Sequence, residues 1–407
     1  MASDADATAH MMRRKKCQRK RKNLQFALAM IDNTNRAERD WSSSVLGLAR
    51  EGFFRIPMRH FVAKRAGTCA CLVGPFAVSL AFMSIAVGIV GVSGYGGGEV
   101  LRLCAGHPGF QVVYVAGESS AGQKLADRFP GISPKLANLN IEAWDPSTLP
   151  RLDLLFASLP TGESRAALAK VAAGVKIVDI GGDHRYADGW TYGLADVWPD
   201  NVRSATRVAN PGCYPSAALV AMAPLLAAKL VDLERTMIID AKSGVSGAGR
   251  GGGHEKFGFA EVNEDVSAYG LVKHPHLAEM VATLNSLGAS KGVRVSFSPH
   301  LVPMTRGLLA TCYLAGKATA QQCFDAAEHF YAGRPFVRIT QSPPHTKWAA
   351  GSNLAFISYA AGEGGPIIAL GAIDNLGKGA AGQAVQNANL MCGLAETTGL
   401  EGTPIWP

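Results

Sequence analysis

The chain has 407 residues, of which 48% are hydrophobic, 18% charged and 46 glycine. That length allows two cored domains, and the balance suits a folded α/β enzyme while excluding a disordered or fibrous chain. The net charge of +8 raises nucleic acid as a partner, but much of the excess sits in one run, Arg13 to Lys22, with no basic stripe interleaved with aromatics elsewhere, so that partner is rejected.

Residues 1–83 differ in character from the rest. An uncharged stretch from Ala66 to Gly98 is long enough to invite a membrane span. Its last part, Ile85–Val90, however, is needed as a strand by the glycines behind it, and Ala66–Met83 is short and holds Gly74 and Pro75. A secretory signal fits poorly because the apolar part lies far from the start, and a transit peptide because Asp4, Asp6, Asp32, Glu38, Asp40 and Glu51 are acidic. The expectation is an extension upstream of a functional chain beginning near Met83-Ser84, with no membrane partner. A membrane anchor or targeting segment is the alternative. Eight cysteines without a C-x-x-C pair argue against a metal site or a disulfide framework, and for a reducing, cytoplasmic setting.

Ile85–Val90 then runs into Gly91-Val92-Ser93-Gly94-Tyr95-Gly96-Gly97-Gly98 and an apolar helix. Strand, glycine turn and helix are the parts of a phosphate-binding βα unit, in which glycines let the backbone approach a pyrophosphate facing the helix N-terminus. The spacing Gly91, Gly94, Gly97 is not the strict G-x-G-x-x-G, so alone it does not separate a cofactor loop from an ordinary glycine turn. A second strand, Gln111–Ala116, ends near Glu118, Ser119, Ser120 and Lys124. An acid there would hold the ribose hydroxyl of NAD, whereas two hydroxyls and a lysine fit a 2′-phosphate, so NADP is expected. Strands at Leu152–Leu159 and Val175–Ile180 continue the βα rhythm. The loop after Leu159, beginning at Pro160, is expected under the nicotinamide, because ligands lie outside strand C-termini.

Cys213 sits between a Pro-Gly turn and an apolar helix expected from Ala217 to Leu230, with Pro215 suited to the first helical position. The free N–H groups and dipole of that helix would favour a thiolate, a strong nucleophile towards acyl carbons. The plain reading is a small buried cysteine behind a turn. Met237–Lys242 reads as a strand opening into Ser243–Gly253, a glycine-dense loop able to fold N–H groups around an anion, with Arg250 offering a fork for phosphate or carboxylate. His274, His276 and Glu279 follow. With no third soft ligand nearby they are a weak metal signal, and a histidine of pKa near ~6.5 suits proton transfer at neutral pH. Val293–Gly307 alternates as a half-buried antiparallel strand does. Leu308–Leu314 and Leu354–Tyr359 read as further strands, and Ala372–Gln386 as a turn leading into a closely packed helix.

In this order these segments resemble the N-acetyl-gamma-glutamyl-phosphate reductase family, from about Ile85 to the C-terminus. The match lies in Gly-x-Ser-Gly-Tyr at 91–95, Leu-Pro-x-Gly-x-Ser at 159–164, Pro-Gly-Cys-Tyr-Pro at 211–215, Ser-Gly-x-Ser-Gly-Ala-Gly-Arg at 243–250, His-x-His-x-x-Glu at 274–279 and the 372–386 segment. Ser216 in place of threonine, and the Gly181-Gly182-Asp183-His184-Arg185 segment, depart from the pattern. The resemblance implies an α/β protein with a Rossmann-like NADP-binding domain over 84–212. A substrate and dimerisation domain over 213–372 would be α+β with a mostly antiparallel sheet, and a C-terminal helix over 373–407 would return to the first domain. The implied reaction is NADPH-dependent reduction of an acyl phosphate to an aldehyde and phosphate through a thioester, by a homo-oligomer.

The catalytic roles would fall to Cys213 and His274, with His276 as substrate-binding neighbour or alternate base. Arg250, Ser246 and Arg306 would bind substrate, with His300 in the same pocket. Gly91, Ser93, Gly94, Tyr95, Gly96, Gly97, Ser119, Ser120, Pro160 and Asn375 would bind the cofactor, and no metal is expected. The alternatives are an aminoadipyl- or aspartyl-phosphate reductase, or an NADP-binding regulator, which would need no paired cysteine and histidine.

Overall fold

The computed structural model describes residues 84–250, 257–288 and 292–406. The expected extension over 1–83, with its anchor-or-start alternatives, lies outside the described residues. Among those described, no helix is long and apolar enough to cross a membrane.

Six strands form a wholly parallel sheet: β1 (Ile85–Val90), β2 (Phe110–Ala116), β3 (Leu154–Ala157), β4 (Lys176–Asp179), β5 (Thr191–Tyr192) and β6 (Arg207–Ala209), in the order β2-β1-β3-β4-β6-β5. The inner strands β1, β3 and β4 are almost continuously buried, as a parallel sheet covered on both faces requires. Helix α1 (Tyr95–Ala105) follows the glycine turn and buries Val100, Leu101 and Cys104 on β1.

Seven strands form the second sheet: β7 (Met237–Gly244), β8 (Ser267–Ala268), β9 (Val295–Val302), β10 (Leu308–Leu314), β11 (Val337–Ile339), β12 (Ala355–Ala361) and β13 (Ile367–Ile373), ordered β11-β12-β13-β10-β7-β9-β8. Four pairings are antiparallel, but β11 with β12 and β7 with β9 are parallel, so the sheet is mixed. This corrects the reading of 293–307 as simply antiparallel: β9 alternates as expected, yet it runs parallel to β7. A parallel return needs a long crossover, which residues 245–294 supply with helix α3 (Pro275–Leu287).

One face of this sheet is covered by helix α2 (Cys213–Ala227), α3 and helix α4 (Ala320–Phe330), which share one hydrophobic core. Helix α2 is apolar all round and buried from Tyr214 to Leu226, so it is a core helix. It approaches the sheet so closely that a β-carbon at Gly371 would overlap the Ala217 carbonyl. The helix starts at Cys213, so Pro215 is its third residue, not its first. A proline is tolerated there because the first-turn N–H groups have no intrahelical acceptor.

After β13, a wide turn (Gly377–Ala381) leads into helix α5 (Gly382–Met391), every residue of which is buried. Its apolar side joins the core of the first sheet beside Val100 and Val202. Its amides are paired outward: Gln383 donates to the Gly193 carbonyl at 2.9 Å and Asn387 to Asn210 Oδ1 at 3.0 Å. The C-terminal helix thus returns to the first sheet and braces the strand that leads to Cys213.

Candidate active site

Gly212, in extended conformation, is the N-cap of α2, which puts the Cys213 thiol at the positive end of a long helix. The turn is fixed from below by a buried carboxylate. Glu279 Oε1 accepts from the Gly212 N–H at 2.8 Å and from the Tyr192 hydroxyl at 2.7 Å, while its Oε2 accepts from Arg185 Nη1 at 2.8 Å. Arg185 also donates through Nε to the Asn210 carbonyl at 3.1 Å. A buried pair of this kind is held by its extra hydrogen bonds, and losing either partner would leave a bare charge in the core.

The two histidines have different environments. His274 is the N-cap of α3, and its Nδ1 accepts from the His276 N–H at 3.1 Å. His276 packs on Gly212, so tightly that a β-carbon there would overlap its ring, and its Nδ1 is buried without a partner. The rings lie 4.6 Å apart and both meet the Tyr214 ring edge-on, whose hydroxyl donates to the His300 carbonyl at 3.1 Å and accepts from Tyr269 at 3.0 Å.

Burial pushes the His276 pKa well below its ordinary value, with Arg185 and His274 acting the same way. Its imidazole is therefore neutral at neutral pH. For Cys213 the expectation of a ready thiolate is corrected. Burial pushes the thiol up to about 11, and the Tyr214 N–H and the Arg185 charge offset this only in part. A thiol in this state needs a proton acceptor, and the imidazole placed nearest in the chain's packing is His276, seated on Gly212 with its Nδ1 unpartnered.

The glycine turn forms the second half of the site. Gly91 has φ +80, and a β-carbon there, or at Gly97, would overlap the Ser158 or the Gly91 carbonyl respectively. The turn is therefore as tight as a cradle for a pyrophosphate must be, and the N–H groups of Tyr95, Gly96 and Gly97, the first of α1, lack intrahelical acceptors. Gly94 caps the helix, and Ser93 Oγ is buried without a partner beside Gly117. At the end of β2, Ser119 is exposed and Ser120 buried, while the Glu118 carboxylate accepts from the Trp144 N–H at 3.1 Å. Pro160 is exposed at the end of β3. A cradle open at its N–H groups, with an orphaned hydroxyl beside it, fits a dinucleotide.

Other expected ligands are engaged elsewhere. Arg306, expected beside the substrate, is engaged within the fold: its Nε donates to Asp374 Oδ2 at 2.9 Å and its Nη2 to Glu99 Oε1 at 2.7 Å. Asn375, expected near the nicotinamide, donates its amide to Ser246 Oγ and accepts from the Gly307 N–H, at 2.9 and 2.8 Å. The same bond ties Ser246, itself buried, to the segment after β13. His300 turns its ring to Asp240 and the Ala241 carbonyl, on the sheet face opposite the helices. Arg250 is exposed, with its guanidinium 5.2 Å over the Tyr95 ring, so the glycine-arginine loop meets the glycine turn.

Sequence reasoning missed the supporting set of Arg185, Tyr192 and Glu279. The signals were that Glu279 closes the His-x-His-x-x-Glu pattern and that Arg185 ends the 181–185 segment, while Tyr192 carried none.

The family description "Semialdehyde dehydrogenase, NAD binding domain" matches residues 86–205, and "Semialdehyde dehydrogenase, dimerisation domain" matches residues 213–375. The N-acetyl-gamma-glutamyl-phosphate reductase of Bradyrhizobium sp. (strain ORS 278) is 66% identical over 326 residues, covering 80% of this chain and 100% of that protein. The same-named proteins of Methylobacterium sp. (strain 4-46), at 63% with the same coverage, and Symbiobacterium thermophilum, at 44% over 355 residues with 80% and 100% covered, are also similar. Among solved structures, aspartate semialdehyde dehydrogenase II from Vibrio cholerae shares the fold, with TM-score 0.62 at 20% identity, covering 76% of this chain and 98% of that one.

Proposed function

The chain belongs to the N-acetyl-gamma-glutamyl-phosphate reductase family, and from that premise we propose that it reduces N-acetyl-L-glutamyl 5-phosphate to the 5-semialdehyde, releasing phosphate, in arginine biosynthesis. The observation that carries the reading is a cysteine at a helix N-terminus with a neutral, buried histidine packed on the residue before it.

His276 takes the thiol proton, and the Cys213 sulfur attacks the acyl carbon. The C–O bond to phosphate breaks, the departing phosphate takes a proton from water, and a thioester on Cys213 remains. Arg185 holds a fixed positive charge beside the sulfur. The Gly91–Gly97 turn, with Ser93, Ser119, Ser120 and Pro160 around it, would hold NADPH, which would supply the hydride that takes the thioester to the aldehyde. His276, carrying the proton it took, returns it as the aldehyde leaves Cys213. The geometry favours His276 over His274 for this work, because Nδ1 of His274 is occupied in capping α3. His274 then orients its neighbour. Arg250, exposed over the Tyr95 ring, offers its guanidinium to the phosphate end of either ligand.

The dimerisation domain of the family covers 213–375, which supports an oligomer of identical chains. Ile238, Val266 and Leu271, 45%, 60% and 51% exposed, offer apolar area on and beside the uncovered sheet face. Sedimentation velocity at micromolar concentration distinguishes a dimer from a tetramer.

The testing experiment is the reverse reaction: NADP reduction with N-acetylglutamate 5-semialdehyde and phosphate, with aspartate semialdehyde as control. Phosphate-dependent turnover on the acetylated substrate alone is expected. Cys213→Ser should abolish it while NADPH still binds, and near-normal turnover by that variant would remove Cys213 as nucleophile.

A further inference from the structure

Four charged side chains alternate in one line across the molecule: Arg102, Glu99, Arg306 and Asp374. Glu99, buried one turn inside α1, accepts from Arg102 at 2.8 and 2.9 Å and from Arg306 at 2.7 Å. Arg306 stands on the turn between β9 and β10 and also grips Asp374, at the end of β13. The Asp374 carboxylate, wholly buried, accepts further from the N–H groups of Gly351, Leu376 and Gly377 at 2.6, 2.8 and 2.8 Å. The Asp374 carbonyl accepts from the Gly379 N–H at 2.9 Å, and Gly379 lies so close to Cys213 that a β-carbon there would stand 2.8 Å from the cysteine's own. One side chain therefore joins the helix that opens the cofactor cradle to the segment pressed on the nucleophile. The same turn pairs its backbone with the glycine-arginine loop, where Val245 N–H donates to the Met304 carbonyl at 2.9 Å and Ser246 N–H to that of Thr305 at 3.2 Å.

We propose that Arg306 is a positioning residue, which sets the distance between the cofactor cradle and Cys213 and so governs hydride transfer without touching either ligand. This rests on the reductase reading above. A planar guanidinium with separate edges for two carboxylates is suited to fix such a spacing, whereas an ammonium is a point charge on a flexible stem. Hydride transfer tolerates little error in distance, while each site taken alone, the cradle and the thiol, keeps its own local walls.

The test uses the full chain and separates these steps. Mixed rapidly with N-acetylglutamate 5-semialdehyde and NADP without phosphate, the wild-type enzyme gives a burst of NADPH of one per site, whose rate reports hydride transfer. NADPH affinity by fluorescence and Cys213 alkylation by iodoacetamide report the two sites separately. In Arg306→Ala the burst is expected to slow about 100-fold, and in Arg306→Lys about tenfold, with affinity and alkylation within about threefold of wild type. Glu99→Gln, which keeps the side-chain shape, carries the same comparison where the alanine variant does not fold, and is expected to slow the burst selectively. A burst unchanged in the variants overturns the proposal, and so does a parallel loss of burst, affinity, alkylation and melting temperature. A wild-type enzyme that binds NADP yet gives no burst overturns the reductase reading itself.

Discussion

His276 rests with its ring against the α-carbon of Gly212, and no side chain fits between them. That contact sets the distance from the imidazole to the residue that begins α2. A methyl group at Gly212 would push the ring outward by a large fraction of an ångström, while the extended backbone there, φ −70, is one that alanine adopts without strain. Gly212→Ala is therefore expected to fold and to bind NADPH normally, and to lose about 100-fold in turnover. Steady-state kinetics beside a fluorescence titration checks this. Wild-type turnover would mean that the seat of His276 is not needed.

Arg185 lies beside Cys213 and favours its ionised form, against a burial that holds the thiol at about 11. Removing the positive charge raises that value further, so less thiolate is present at any fixed pH. Arg185→Met should be alkylated by iodoacetamide about tenfold more slowly at pH 8, with its rate profile displaced to higher pH, if the displacement is about one pH unit. Arg185→Lys keeps the charge and should stay near wild type. Inactivation rates measured from pH 6 to 10 decide it. A methionine variant alkylated faster than wild type would mean that Arg185 does not favour the thiolate.

Much of this site could be read from the sequence, and the parts that could not share one cause. Short-range chemistry was legible. The glycine turn at 91–97, the helix behind Cys213 and strands such as Leu308–Leu314 depend on backbone freedom and local periodicity, and they stand within a few residues of where these place them. The partners of a side chain were not legible, because they are fixed by residues far away in the chain. Arg306 and Asn375 look like ligands in a motif, yet Glu99 lies 207 positions from Arg306 and Ser246 lies 129 from Asn375. The thiol of Cys213 gave the same lesson: the helix end is local and visible, while the burial that outweighs it comes from packing.

Lys378 is the most deeply buried cation of the described fold, wholly out of solvent, 2.5 Å from Asp196 and 2.6 Å from Gln386 Oε1. Burial lowers its pKa, and Asp196 opposes that fall. Lys378→Met would leave Asp196 charged with only the Gln386 amide beside it, at a cost of about 3–5 kcal/mol in unfolding free energy. The double variant Lys378→Met/Asp196→Leu removes both charges and should recover most of the loss. Urea denaturation of the three proteins checks it, and a double variant no more stable than the single would show that the pair is not what holds this corner.

Glu99 gives the pH dependence a direction. Burial alone would raise its pKa, but hydrogen bonds and charge from Arg102 and Arg306 overcome this and leave it below the ordinary 4.5. A carboxylate whose folded pKa is depressed stabilises the protein above its unfolded pKa, and that contribution is lost as pH falls through the folded value. Glu99→Gln lacks the contribution at every pH. At pH 7 the variant is therefore expected to be less stable by about 1–3 kcal/mol, the worth of hydrogen bonds to a charged group. The gap should stay constant down to about pH 5, narrow below 4.5 and close once Glu99 is protonated in the folded state. Urea midpoints at pH 7, 5, 4 and 3 measure it. A gap that widened on acidification would mean that Glu99 is protonated in the native fold, and that Arg306 is held by Asp374 alone.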